Sequence, residues 1–257
     1  MFFDSHMHTK FSSDSKMQIE DVIKQGQALN IGTILTEHMD YNYPKEDLFK
    51  FDPNKFFNEY SKYRRDNLLL GVEIGLSSSS LSKNNNLSTS YPFDFILGSI
   101  HSVNDIDIFT DESKNDLTKT EYLTLYFKEM IKDIKEFDNF DSLSHIDYPC
   151  RYLKGKDKKI NLSELGEYVD EVFKILIEKE KCLEINTKKF DDKNFIHSIF
   201  NLCKRYKELG GKYITVGSDA HNKDRIGKDF NIAKDIILET NLTPVYFKER
   251  KINIIHL

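Results

Sequence analysis

The chain has 257 residues, 39% hydrophobic and 31% charged, with 37 basic against 42 acidic side chains. Apolar residues interleaved with charge of both signs exclude a disordered polypeptide, and a net charge of −5 argues against a protein built to grip nucleic acid. Three widely spaced cysteines, Cys150, Cys182 and Cys203, support neither a disulfide framework nor a zinc ribbon.

The N-terminus carries no positive stretch followed by an apolar run, and nowhere do 18 apolar residues follow one another. A cytoplasmic protein without a membrane segment is therefore expected. Short β-type runs alternate with segments of helical period along the chain, the pattern of βα units around a parallel sheet. Strands are predicted at 2–6, 32–36 and 68–74. The polar, low-complexity stretch 77–90 (SSSSLSKNNNLSTS) then reads as a mobile surface loop. A strand at 93–100 precedes a helix whose apolar face is Leu123, Phe127, Met130, Ile131 and Ile134. A strand at 142–145 leads to a solvated turn at 154–159 (KGKDKK) and a helix through Leu165, Val169, Val172, Phe173 and Leu176. After a strand at 182–186, a helix through Ile196, Ile199, Phe200, Cys203 and Tyr206 stops at Gly210-Gly211, where a left-handed cap frees the chain for a last strand at 213–217. No Pro- or Gly-rich linker divides this alternation. It fits a single α/β barrel domain over residues 1–257, with an open doubly wound sheet as the competitor.

Six of the eight histidines, His6, His8, His38, His101, His145 and His221, fall at or just past the C-terminal end of a predicted strand. In a parallel barrel those ends open onto one face, so residues remote in sequence converge there. His6-Met7-His8 sends both imidazoles to one side of an extended chain, as two ligands of one ion require, and Asp219-Ala220-His221 repeats the spacing. Glu73, Asp14 and Asp219 complete a set of nine N and O donors without a thiolate, suited to Zn, Mn or Fe(II). Nine donors are too many for one ion; two or three divalent ions sharing a carboxylate, as in phosphoryl transfer to water, are the economical assignment. His197 and His256 lack this context and read as structural or exposed.

Together, His6-Met7-His8, Thr36-Glu37-His38, Gly71-Val72-Glu73, Gly98-Ser99-Ile100-His101, Ser144-His145-Ile146-Asp147 and Gly217-Ser218-Asp219-Ala220-His221 resemble the ordered motifs of the PHP (polymerase and histidinol phosphatase) superfamily. The G-S-x-H and S-D-A-H segments look most like its monofunctional histidinol-phosphate phosphatases. The resemblance implies a distorted (β/α)7 barrel, similar to a TIM barrel, with a trinuclear centre. By motif, His6, His8, Glu73 and Asp219 would hold one ion, Glu73 would bridge to a second held by His101 and His145, and Asp14, His38 and His221 would hold the third. Asp14 is a histidine in some relatives, which shifts the third site toward Mn or Fe.

The implied activity is hydrolysis of L-histidinol phosphate, a step of histidine biosynthesis, with a metal-bridging hydroxide attacking phosphorus in line. Protonated His38 or His221, or water on the third ion, would supply the leaving group's proton. An arginine that meets the phosphate in relatives is missing after Asn186. Lys188 or Lys189 substitutes there as a point charge, and Arg151 and Arg225 are the remaining basic candidates at the open face. Asp105, Asp107 and Asp147 are candidate partners for a substrate cation. The alternatives within the family are a protein-tyrosine phosphatase and a nuclease-type phosphoesterase; an amidohydrolase and a non-catalytic metal-binding module are more distant. The expected partner is a small phosphate monoester, with no oligomeric state implied.

Overall fold

The computed structural model describes residues 1–43, 45, 48–153 and 158–257. Residues 154–157 of the expected turn lie outside them. Seven parallel strands form the wall of a barrel. The first four are β1 (Phe3–Asp4), β2 (Gly32–Met39), β3 (Leu68–Gly75) and β4 (Phe95–Ser99). A small antiparallel hairpin, β5 (Ser102–Val103) with β6 (Ile106–Asp107), stands at the C-terminal end of β4. The wall continues through β7 (Ser142–Leu143), β8 (Cys182–Asn186) and β9 (Tyr213–Gly217). Every residue of β2 and β3 is buried, because the barrel interior covers one face and helices the other.

The helices α1 (Ile19–Leu29), α2 (Pro53–Tyr60), α3 (Leu81–Ser90), α4 (Lys119–Glu136), α5 (Leu162–Glu178), α6 (Lys193–Glu208) and α7 (Phe230–Thr240) alternate with these strands. Helix α4 begins at a reciprocal cap between Thr118 and Glu121 and buries Leu123, Tyr126, Phe127, Met130 and Ile134 on one stripe. Helix α6 ends as the Gly210-Gly211 pair dictates, with Gly210 at φ 103.

The stretch 77–90 is not a loop. It forms a 3-10 turn and then α3, the crossover that returns the chain from β3 to β4. Four of its polar residues, Ser77, Ser80, Asn84 and Ser88, are buried. Ser77 Oγ accepts from Ser80 N, and Asn84 Nδ2 donates to Gly75 O at 3.1 Å, while Leu87 is buried. Because the inward face carries Asn84 and Ser88 beside Leu87, no apolar period marks this helix.

The barrel closes between β9 and the first strand's continuation. Ser5 N donates to Val216 O at 2.8 Å and His8 N to Ala220 O at 2.9 Å. The Asp4 carboxylate stitches the same seam by accepting from Ser218 N (2.9 Å), Ser218 Oγ (2.6 Å) and Gly227 N (2.9 Å); burial nonetheless raises it to about 6. Toward the barrel's base the edge of β9 is taken by β10 (Thr243–Lys248), paired in turn with antiparallel β11 (Lys251–Ile254). One edge is thus shared by two partners, and this distorts the barrel.

The hairpin β10–β11, which the periodicity did not predict, is pinned to the base through buried Asp94. That carboxylate accepts from Arg64 Nε (2.8 Å) and Nη2 (2.6 Å), Leu70 N (2.9 Å) and Glu249 N (2.9 Å). Cys150, Cys182 and Cys203 are all buried. Among the described residues, no helix is long and apolar enough to cross a membrane.

Candidate metal centre

The strand C-termini bring Glu73 to the floor of the open face, fully buried, with its two oxygens turned to different imidazoles. Oε1 lies 2.9 Å from His145 Nε2 and 3.3 Å from His101 Nε2. Oε2 lies 3.3 Å from His6 Nε2, 3.5 Å from His8 Nε2 and 2.9 Å from His38 Nδ1. Asp219 Oδ1 approaches the first of these sets, 4.0 Å from His6 Nε2 and 3.7 Å from His8 Nε2. Asp14 Oδ2 faces His221 Nε2 at 2.9 Å and His38 Nε2 at 3.5 Å. All nine sequence-predicted donors therefore meet in one cluster.

The donor set fits divalent ions. Donors about 2.0–2.2 Å from a shared ion lie some 3–4 Å from one another, the range seen here. Glu73 Oε2 is buried without a hydrogen bond despite its three imidazole neighbours, as is His38 Nδ1. Such orphaned atoms suit lone pairs aimed at a common cation. Asp219 holds φ 51, a left-handed backbone that costs an aspartate about 1–3 kcal/mol and that turns its carboxylate into the cluster.

Electrostatics divides the imidazoles. Burial opposes charge on His6, but Glu73, Glu184 and Asp219 outweigh it and raise its pKa well above the ordinary value. His38 is likewise raised to about 10 against its burial, by Glu73 and Asp14. Burial lowers His145 to about 4, and burial with His38 and His221 lowers His8. For Glu73, burial raises the pKa but His6, His38 and His101 hold the carboxyl well below the carboxylate range. An imidazole ligates only as the free base, so ion loading expels protons from this cluster.

Above the cluster lies a cavity of about 380 Å³ lined by Arg151, Lys188 and Lys189 and, elsewhere on its wall, by Asp107, Tyr43 and Tyr148. Arg151 Nη1 donates to Asp219 Oδ2 at 2.8 Å and Nη2 to Asn186 Oδ1 at 3.0 Å. Lys188 Nζ donates to Asp219 O at 2.8 Å and reaches His221 Nδ1 at 3.0 Å. Arg225 does not line this cavity; its Nη2 braces the loop from behind through the carbonyls of Thr187 and Lys188. Asp105 sits in a neighbouring recess with Asp40 and Asn42, and Asp147 is buried. His197 and His256 lie outside the cluster.

A PHP domain family model matches residues 4–188. The chain belongs to the PHP domain family. A probable histidinol-phosphatase of Clostridium acetobutylicum is 43% identical over 250 residues, which cover 97% of this PHP chain and 98% of that protein. A histidinol-phosphatase of Lactococcus lactis is 32% identical over 241 residues, 91% of this chain and 89% of that protein. The fold is similar to the crystal structure of a histidinol phosphate phosphatase from Lactococcus lactis complexed with zinc, L-histidinol and phosphate. The TM-score is 0.92 at 30% identity, covering 98% of both chains.

Three carboxylates of this PHP domain had no role in the sequence reading. Asp40 accepts from or ion-pairs with His101 Nδ1 at 2.8 Å. Glu37 accepts from Thr9 N and from Ser12 Oγ, whose oxygen also meets His8 Nδ1 at 3.2 Å. Glu184 lies 2.8 Å from His6 Nδ1 through Oε1, while Oε2 accepts from His145 N (2.8 Å) and Asn186 Nδ2 (3.0 Å). The sequence signal for Glu184 is an acid in the middle of a short, fully buried strand, Cys-Leu-Glu-Ile-Asn. Gly217 makes room for this pair, since a Cβ there would stand 2.3 Å from both Glu184 Oε1 and His6 Cβ. Glu184→Gln must set an NH2 group against either His6 or two N–H donors. It is expected to weaken zinc affinity about 10–100-fold, as loss of a carboxylate behind a ligating histidine does, measured by competition with a chelator.

Proposed function

We propose that the chain is a metal-dependent phosphatase that hydrolyses L-histidinol phosphate to L-histidinol and phosphate. The observation that carries this reading is the likeness along the whole chain to an enzyme crystallised with zinc, L-histidinol and phosphate. The cluster geometry supplies the chemistry. His6, His8, Glu73 and Asp219 would hold one divalent ion, His101 and His145 with Glu73 a second, and Asp14, His38 and His221 a third, of the zinc, manganese or iron type. Such ions supply Lewis acidity toward phosphoryl oxygens and an activated water at neutral pH.

The protein's own groups do the rest. Arg151 and Lys188 bring two positive charges to the edge of the Asp219 carboxylate, where they can bind and orient the three phosphoryl oxygens. His38 and His221 border the cavity beside Asp14; because they ligate as free bases, they are placed to hand a proton to the departing alkoxide only while that third site holds no ion. Asp107 faces the cavity with one oxygen engaged by Thr110 N, leaving the other for the substrate ammonium. The buried thiols fit a reducing cytoplasm, and contacts from Glu249 and Arg250 back to Asp94 favour one domain over 1–257.

The test compares kcat/KM for L-histidinol phosphate, an aryl phosphate and a 5′-phosphorylated oligonucleotide on zinc- or manganese-loaded protein. A preference for histidinol phosphate of about 100-fold or more, ~3 kcal/mol, is expected. Equal or better turnover of either rival replaces the substrate by an aryl phosphate or a nucleic-acid end.

A further inference from the structure

The loop between β1 and α1 carries a buried hydroxyl that meets His8, Glu37 and His38 at once. It belongs to Ser12, 1% exposed and held in two linked turns, with Ser12 N donating to Thr9 O at 3.0 Å and Ser15 N to Ser12 O at 3.1 Å. Along β2, Thr36 N donates to Met7 O at 2.9 Å, the regular contact with the neighbouring chain. Two residues on, the His38 N–H donates to Ser12 Oγ at 3.1 Å instead, so a side chain satisfies the strand where the backbone ladder stops. On its other sides Oγ lies 2.6 Å from Glu37 Oε2 and 3.2 Å from His8 Nδ1.

Donor counting fixes the direction of these bonds. A hydroxyl has one proton and two lone pairs. The Glu37 oxygens act as acceptors, each receiving Thr9 N at 3.0 Å and Oε1 also Thr9 Oγ1 at 2.5 Å, so Ser12 gives its proton to Oε2. The His38 N–H takes one lone pair. The other is left for His8, whose Nδ1 must therefore carry the ring hydrogen. That frees the lone pair on Nε2, the atom that faces the cluster, 3.1 Å from His6 Nε2, 3.5 Å from Glu73 Oε2 and 3.7 Å from Asp219 Oδ1.

We propose that Ser12, with its hydroxyl oriented by Glu37, is a positioning residue that locks His8 in the Nδ1–H tautomer and so presents Nε2 to the ion shared with His6, Glu73 and Asp219. The inference rests on the reading of His8 as an ion ligand. The relay acts as a carboxylate behind a ligating histidine does, with a serine hydroxyl between the two groups. The same oxygen holds the His38 backbone, so one atom ties together the strand ends that serve two ions. Glu37→Gln reverses its polarity. With the amide oxygen kept on the Thr9 donors, the NH2 group faces Ser12, whose proton then turns to His8 Nδ1 and moves the ring hydrogen to Nε2, against the ion.

The test measures zinc affinity by competition with a chelator and follows the His8 ring nitrogens by NMR in zinc-loaded protein labelled with 15N-histidine. Wild-type protein is expected to show a hydrogen on His8 Nδ1 and zinc on Nε2. Ser12→Ala and Glu37→Gln are each expected to weaken zinc binding about 10–100-fold and to shift the His8 Nδ1–H signal. The double variant loses no more than the worse single, because both act through one relay. Should Ser12→Ala fail to fold, Glu37→Gln, which keeps the hydroxyl, carries the same two readouts. Wild-type zinc affinity in either single variant, an unmoved Nδ1–H signal, additive losses in the double, or zinc on Nδ1 of wild-type His8 each overturn the proposal. All of these are read without substrate. Wild-type protein that fails to hydrolyse histidinol phosphate would strike the substrate assignment and leave them standing.

Discussion

Glu73→Gln is expected to lower kcat/KM by about 1,000-fold or more, ~4 kcal/mol of transition-state stabilisation, while leaving the fold intact. The substitution preserves shape in a site where Glu73 is fully buried and in contact with five imidazoles, so packing is maintained. Its chemistry is not. A carboxylate offers a lone pair to each side, one oxygen toward His101 and His145 and the other toward His6, His8 and His38. An amide offers a lone pair to one side and N–H donors to the other, so it can serve only one of two ions. Metal analysis after equilibration should show at least one ion fewer per chain, and circular dichroism no change. Full activity with full ion content would sink the bridging role.

Asp94→Ala should do the opposite, destabilising the protein by about 3–5 kcal/mol, which lowers Tm on the order of 10 °C, with the centre chemically untouched. Asp94 lies just before β4, at the barrel's base, away from the cluster at the strand C-termini. Its carboxylate accepts the two-pronged Arg64 contact and the backbone amides of Leu70 and Glu249. Removing it strands those amides in a buried setting, each costing about 1–3 kcal/mol, and frees the turn that anchors β10–β11. Arg64, whose side chain is 28% exposed, can recover hydration, which limits the loss. Thermal melts should show the shift, while kcat/KM well below the lowered Tm stays near wild type. A melt unchanged within 1–2 °C would mean that the hairpin is held without this carboxylate.

The strands were legible because their pattern is local. The runs at 182–186 and 213–217 coincide with β8 and β9, and the boundaries of β2, β3 and β4 differ by a few residues at most, since a strand buried on both faces reads as a mostly apolar run. The nine donor residues were legible for a related reason: a parallel barrel gathers strand C-termini, so histidines recurring there mark a common site without any contact being known. Helix α3 was hidden because its inward face carries Asn84 and Ser88, whose bonding partners lie outside the helix's own repeat. The hairpin β10–β11 was hidden because what holds it, the edge of β9 and the Asp94 carboxylate some 150 residues away in sequence, is tertiary rather than periodic.

The sequence by itself determined the alternation, a parallel sheet, the donor types at its strand ends and the exclusion of thiolate chemistry, all properties of residue kind and short-range period, and left a barrel in competition with an open doubly wound sheet. Only the tertiary structure decided that Glu184, Glu37 and Asp40 stand behind the imidazoles, that Arg151 and Lys188 converge on Asp219 while Arg225 turns away, and that β9 divides its edge between β1 and β10. Those outcomes depend on distances of a few ångströms between side chains remote in the chain. A linear pattern does not encode them, because closure of the barrel, not local propensity, brings them together.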